Sequence, residues 1–403
     1  MAHPPISRAR LQQENRQMRF TETYEGWEEG RLTQTQAALI LGMSERNFRR
    51  HIQRYQADGL SGLLDRRLSQ ISQRKAAISE VDHIVQLYKS SFAGWNLTHF
   101  HSKYQSEYKG MRSYSWLKSV LQGAGVVKVA KKRGKHRIKR ERMPLPGMMI
   151  HQDASTHRWV ADQAWDLVVT MDDATGEHTS MFFCHQEGTD SSFHGIGQTI
   201  QRYGLFASLY SDRGAHYFTT PQAGGKVDKV NLTQVGRALK QLGIDHIAAY
   251  SPQARGRSER AFQTHQGRLP QELAKAGITD MQGANGYLEQ IYRPAFNREF
   301  AQTSTMAGTA YVPFITGSLP DVLCEQHERK VDNDNTVSFE RLKLQIPADE
   351  YRWHYVRTNV RVHRYVDGTL ALFHGPRRLA SFSALGKPWA LAWQQEMGVR
   401  QVA

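Results

Sequence analysis

Three kinds of patterning run along this 403-residue sequence and predict a multidomain protein. Up to about residue 127, apolar residues recur at helical spacing between capping signals. From 148, a three-strand opening gives way to alternating helices and strands. Beyond about residue 320, short alternating runs separated by turns predominate. The expected architecture is N-terminal all-α helix-turn-helix units, a central α/β domain with a mixed five-stranded sheet, and a small C-terminal β-barrel. The corresponding boundaries are 1–65, 66–127, a linker at 128–147, 148–305 and 306–403.

Charge narrows the partners. Lys and Arg number 53 against 38 acids, a net charge of +15, which points to a polyanion, most often nucleic acid. A generally basic surface without a specific ligand is the alternative. Cys184 and Cys324 are far apart and lack Cys or His neighbours at zinc-ligand spacing, which argues against a disulfide framework and a Cys-based zinc site. No apolar run approaches the roughly 18 residues of a membrane span, and no signal core opens the chain. The expectation is a soluble cytoplasmic protein with no membrane partner.

In the first unit, "RLTQTQAALILGMSERNFRRHIQRYQA" places Thr33 to cap one helix, Gly42 to break it and Ser44 to open another. Phe48, Ile52 and Tyr55 form the apolar stripe of the second helix. Arg46, Asn47, Arg49, Arg50 and Arg54 leave that stripe and are available to a DNA groove and its phosphates. A helical hairpin with a solvated basic face fits the same pattern. In the second unit, "SEVDHIVQLYKSSF", "NLTHFHSKYQSEY" and "RSYSWLKSVLQGAG" repeat the arrangement, with Ser113 as cap and Ser115, Trp116 and Lys118 on a second reading helix. A plain three-helix scaffold is the alternative, and His99 and His101 read as surface or core histidines.

Residues 128–143 then carry nine Lys or Arg and one acid. Like charges cannot pack on themselves, so this segment reads either as an extended linker along phosphates or as a solvated one. Lys131, Lys132, Arg133, Lys135 and Arg137 are its candidate contacts. "PLPG" at 144–147 marks the boundary. The central strands are expected around "MMIHQDASTHRWV", "WDLVVTMDD", "TSMFFCHQEG", "LFASLYSD" and "DHIAAYSP". The Gly-x-Gly of "HGIGQT" lies in a helical pattern and lacks the rest of a dinucleotide fingerprint.

Three acids of this domain fall where such folds build sites. Asp153 lies in the first strand, Asp212 ends the fourth, and Glu259 sits in the first turn of the helix after the fifth. Singly they read as a turn former, a cap and a helix-dipole partner. Together they would repel one another unless cations neutralise them, and hard divalent ions take oxygen ligands. Glu259 stands among Arg255, Arg257 and Arg260, which would meet phosphates while the acid completes a metal cage.

"HQDASTHRW", "SDRGAHYF" and "YSPQARGRSERAF" resemble the catalytic segments of DDE transposases and retroviral-type integrases, whose core is RNase H-like. The whole chain most resembles bacterial insertion-sequence transposases of the ISNCY group, including "ERKVDNDNTVSF" near the C-terminus. The resemblance implies that Asp153, Asp212 and Glu259 are a catalytic triad binding two Mg²⁺ (or Mn²⁺) ions per active site, with Asp153 bridging both. It further implies partners in double-stranded DNA, both terminal inverted repeats and target, cleavage followed by strand transfer, and a homo-oligomer on DNA. Residues 213–258 separate the second and third acids, a longer gap than in retroviral integrases, with "TTPQAGGKVDK" as the inserted loop. Helix-turn-helix units stand in place of the viral zinc module. Asp172 and Asp173 are rival acids, but their hairpin turn suits a structural duty. Two other functions compete: a DNA-binding regulator derived from a transposase with an inactive core, and an RNase H-type nuclease.

Overall fold

The computed structural model describes residues 8–65, 76–129, 141–160, 163–222, 225–250, 256–315 and 317–389. They divide into two units, 1–89 and 90–403. In the first, helices α1 (Arg8–Glu28), α2 (Gln34–Ile40) and α3 (Glu45–Asp58) close on Phe20, Tyr24, Ala37, Ala38, Phe48 and Ile52. Thr33 and Gln36 form a capping box at the start of α2, so two backbone N–H groups that the helix leaves unpaired gain side-chain partners. Gly42, at φ +65°, turns the chain, and Ser44 caps α3 through the Asn47 N–H. α1 lies outside the sequence expectation. Its apolar stripe is thin, with Phe20, Tyr24 and Trp27 spaced four and three residues apart in a largely polar stretch.

The division between units falls inside α4 (Ile78–Ser91). α5 (Leu97–Ser106) and α6 (Tyr114–Gly123), capped by Asn96 and Ser113, therefore belong to the same unit as the α/β core.

The core contains the expected mixed five-stranded sheet, in the order β3-β2-β1-β4-β5. β1 (Ile150–Val160), β2 (Gln163–Asp172) and β3 (His178–Cys184) form an antiparallel meander, while β4 (Ser208–Ser211) and β5 (Asp245–Ala248) run parallel to β1. Alternation along β1 sends Ile150 towards α7 (Thr189–Tyr203) and α8 (Gln234–Gln241), where Phe193, Ile196, Leu209, Val235 and Leu239 fill one core. The opposite face is covered by α9 (Gly256–Gln266), α10 (Leu269–Lys275), α11 (Met281–Tyr287) and α12 (Arg293–Phe300), around Trp159, Val169, Phe262 and Leu273.

At the outer edge of β3, the Asn285 side chain accepts from the Phe183 N–H (2.6 Å) and donates to its carbonyl (3.0 Å). Asn297 does the same at His178, at 2.9 and 3.0 Å. A register shift in the β2–β3 ladder lies between these two residues. It flips the strand's parity, so that residues five apart both turn outward.

α5 docks on α10. Glu272 accepts from His99 Nε2 (2.7 Å) and Lys103 Nζ (2.9 Å), and Lys275 reaches Glu107 (2.5 Å) while lying over the rings of Phe92 and Trp95.

After α13 (Leu319–Val322), the chain forms β6 (Glu325–Lys330), β7 (Thr336–Phe339), β8 (Leu342–Gln345), β9 (Asn359–Arg364), β10 (Leu370–His374) and β11 (Arg377–Phe382). The expected barrel is corrected here. The described residues form a four-stranded antiparallel sheet, β11-β10-β9-β6, and a separate β7-β8 hairpin, with no closed barrel. The hairpin adds Val337, Phe339 and Leu344 to the sheet's core through side chains rather than through a continuing ladder. Alternation specifies strands with one buried face, but closure also requires tilt and stagger that alternation does not encode. Among the described residues, no helix is long and apolar enough to cross a membrane.

Candidate active site

Strand register bears on two of the three acids. β1 and β4 pair with Ile150 opposite Leu209 and His151 opposite Tyr210. The ladder ends there; extended two residues further, it would set Asp153 opposite Asp212, at about the 4.8 Å spacing of neighbouring strands. Strand order reverses between β1 and β4, and open α/β sheets place their sites at the carboxyl end of such a reversal. Both aspartates act on the buried Tyr217 hydroxyl. Burial first, then the charge of Glu187, and also those of Asp153 and Asp212, push its pKa well up. That hydroxyl donates to Gln152 Oε1 (2.9 Å), behind the pair.

Local geometry holds each carboxylate. Asp153, 8% exposed, accepts from the Ala154 N–H at 3.0 Å. Asp212 accepts from the Gly214 N–H at 2.8 Å. A side chain at position 214 would bring its Cβ within 3.0 Å of Asp212 Oδ1 and of the His216 ring, so glycine permits this turn.

Glu259 is placed by the helix that carries it. α9 is pinned at its start by Arg257, which pairs with Asp173 and donates to the Glu141 carbonyl (2.8 Å). At its end, Gln266 Nε2 donates to Ser155 Oγ at 3.0 Å. Asp173 is itself bonded to His151 Nε2 (2.7 Å), so the anchors correspond to residues 151 and 155 of β1. Four strand residues span about 13 Å and nine helical residues about 13.5 Å. Helix and strand thus run side by side over one length. Glu259 lies in the first turn of α9, two residues after Arg257 and turned about 200° from it around the helix axis. Its side chain is exposed. Among the described residues, no group of three His, Cys, Asp or Glu could hold a metal ion, so Glu259 does not close a ready cage with the aspartate pair.

The rival acids are structural. Asp172 accepts from the N–H groups of Gly147, Ala174 and Thr175 and from the Tyr311 hydroxyl. Asp173 accepts from the Met143 N–H (2.8 Å), His151 and Arg257. Burial works to raise the Asp173 pKa, but these donors outweigh it and hold the carboxyl well below the usual range.

Of the candidate DNA contacts, Arg46, Arg49, Arg50 and Arg54 are exposed on α3, while Asn47 is partly buried and accepts from Arg50 (2.8 Å). Ser115 and Lys118 are exposed on α6, and Trp116 is partly covered by the Arg112 guanidinium, 4.8 Å from its ring centre. Arg260 is exposed, whereas Arg257 is committed to Asp173 and Glu141. Lys131, Lys132, Arg133, Lys135, Arg137 and Arg255 lie outside the described residues. Sequence reasoning missed His151, Ser155 and Gln266, whose roles arise only when α9 lies along β1. The one available signal was the acid pair of "MDDATG", which sets two carboxylates in a single turn.

Comparisons with known proteins fit this picture. The family described as "Winged helix-turn helix" matches residues 25–80. A curated protein of Sinorhizobium fredii, "Putative transposase y4bF", is 30% identical over 349 residues, covering 85% of this chain and 75% of its own length. The transposase for insertion sequence IS1202 of Streptococcus pneumoniae is 29% identical, over 58% of this chain and 50% of its own. Among solved structures, a simian T-cell lymphotropic virus intasome with PP2A regulatory subunit B56 gamma is 13% identical at a TM-score of 0.32, covering 72% of this chain and 91% of that one. The HTLV-2 integrase catalytic core with magnesium is 17% identical at 0.28, over 36% and 89%. At those scores the assignment rests on the sequence relatives, and by them this chain belongs to the transposases.

Proposed function

We propose that this transposase binds the terminal inverted repeats of an insertion sequence, cleaves the strand at each element end and joins it to target DNA. The observation that supports the reading is the β1–β4 register, which extended past His151 and Tyr210 would set Asp153 beside Asp212 at the sheet's reversal point, with Glu259 on α9, a helix bonded to β1 through Gln266. Adjacent carboxylates in a half-buried position need a counter-charge, and an all-oxygen donor set suits hard divalent cations. On this reading Asp153, Asp212 and Glu259 would together hold Mg²⁺ or Mn²⁺, two ions per site, once Glu259 is brought to the aspartate pair. Bound there, such ions supply activation of the attacking oxygen and stabilisation of the leaving one.

The chain's own part is positioning. β1 and β4 fix two acids, α9 delivers the third, and the exposed Arg260 beside Glu259 is available to a phosphate. In the first step water adds to the end phosphodiester, and the 3′-oxygen leaves with a proton. In the second, that 3′-hydroxyl attacks a target phosphodiester and displaces the target's own 3′-oxygen, conserving the number of phosphodiester bonds. Neither step needs a covalent enzyme intermediate. α3 and the basic segment would engage duplex DNA in the cytoplasm, at the nucleoid, and joining two ends calls for a multimer on DNA.

The test is incubation with a labelled terminal-repeat duplex and Mg²⁺ or Mn²⁺, comparing the wild type with Asp212→Asn. Nicking and joining should vanish in the variant while duplex binding remains. Nicking that survives the substitution would place the chemistry elsewhere. A wild type that binds without nicking would be a regulator instead.

A further inference from the structure

One buried carboxylate joins both halves of the site. Asp173 Oδ1 meets His151 Nε2 at 2.7 Å and the Arg257 guanidinium, while its Oδ2 accepts from the Met143 N–H at 2.8 Å. His151 stands two residues before Asp153, on the same face of β1, because strand side chains alternate. Arg257 stands two residues before Glu259. Asp173 therefore ties together the strand and the helix that carry two of the three acids. The chain entering the core is locked into the same knot, since Arg257 Nη2 donates to the Glu141 carbonyl (2.8 Å) and Arg142 Nη1 to the Asp173 carbonyl (2.9 Å). Asp173 is fully buried, and its side chain together with that of His151 is shielded from solvent.

We propose that Asp173 and Arg257 are positioning residues that set the separation between Asp153 and Glu259, and that Arg257 serves this purpose rather than holding a DNA phosphate. The inference rests on the proposed role of the three acids. A bond that orients a ligand's support is worth about 10–100-fold in metal affinity. An arginine on a phosphate behaves differently: its loss weakens duplex binding and lowers the salt slope by about 1. The residue types suit the positioning role. Guanidinium geometry can bond a carboxylate and a carbonyl at once, as Arg257 does, whereas a lysine would give a single point charge.

The experiment uses the full chain and Mn²⁺ alone, with occupancy read by electron paramagnetic resonance, on the wild type, Arg257→Gln, Arg257→Lys, Asp173→Asn and Glu259→Gln. Arg257→Gln and Asp173→Asn should raise the half-saturating Mn²⁺ concentration about tenfold or more. Arg257→Lys should recover part of the loss. In parallel, Arg257→Gln should bind the end duplex within about twofold of the wild type, with an unchanged salt slope. Hydrogen exchange of β1 to β3 confirms that each variant is folded, and Arg257→Lys supplies the milder variant should Asp173→Asn fail to fold. Unchanged Mn²⁺ binding in Arg257→Gln, or a salt slope lowered by about 1, would overturn the proposal. If Glu259→Gln also binds Mn²⁺ as the wild type does, the reading of the acids fails instead.

Discussion

Replacing Glu272 with glutamine tests how α5 is held to the core. The Glu272 side chain is 8% exposed and accepts from His99 (2.7 Å), Lys103 (2.9 Å) and the Tyr287 hydroxyl (2.7 Å). Burial favours its neutral acid, but bonds from His99, Lys103 and Tyr287 outweigh burial and bring the pKa from an ordinary 4.5 to about 2. By linkage that difference corresponds to about 3 kcal/mol. The depressed value gives the sign: the contribution is complete above pH 4.5 and is lost as pH falls towards 2. Burial also lowers the pKa of His99, whose Nδ1 is buried with no hydrogen-bond partner among the described residues. A protonated ring would leave an N–H unsatisfied there, so the imidazole is neutral and Lys103 supplies the opposing charge. Glutamine keeps one acceptor oxygen but turns an amide N–H₂ against donors. The expected loss is about 2–3 kcal/mol, confined to the α5–α10 contact. Hydrogen exchange read by mass spectrometry at pH 7 should show α5 amides about 30–100-fold less protected, with β1 to β3 unchanged. Protection of α5 within about threefold of the wild type would refute the reasoning.

Burial also lowers the pKa values of His178, His246 and His363, each to about 4. An unfolded histidine protonates near 6.5, so stability should be full above that pH and decline between 6.5 and 4, measured as urea midpoints across that range. Gly195 and Gly197 should respond differently to alanine. A methyl at 195 overlaps the Gln152 amide and lies 2.9 Å from Thr170 Oγ1, whereas one at 197 meets only Leu323 Cδ1, at 3.3 Å. Gly195→Ala should cost about 1–3 kcal/mol and Gly197→Ala much less by calorimetry, and equal effects would contradict the packing argument. Arg49→Ala combined with Arg50→Ala should weaken end-duplex binding and lower its salt slope by about 2, measured by fluorescence anisotropy. Unchanged binding would remove α3 from the recognition surface.

Local signals were legible where the chain makes its own case. Thr33, Ser44 and Ser113 announced helix starts because a cap is read within four residues. The β strands of the core showed in their apolar runs. Asp153, Asp212 and Glu259 were singled out by residue type and motif, whereas the β1–β4 register that would bring the first two together shows only in the sheet. Arg257 looked like a phosphate ligand because nothing local reveals that Asp173, in a distant turn, takes its charge. The Gly-x-Gly of α7 also found its reason in tertiary contact, since Gly195 lets the helix approach Gln152 and Thr170 on the sheet. The C-terminal barrel failed for the complementary reason: pattern gives strands, while closure depends on how the last strand meets the first.

The two asparagines beside β3 carry a consequence for the multimer on DNA that we propose. An exposed sheet edge invites stray strand addition from a neighbouring molecule, and crowding on DNA raises that hazard. Asn285 and Asn297 occupy the backbone groups that an intruding chain would need at Phe183 and His178. Each amide imitates one peptide unit of a missing strand without offering a further edge. At those two residues the meander edge therefore offers an incoming strand no free backbone pair.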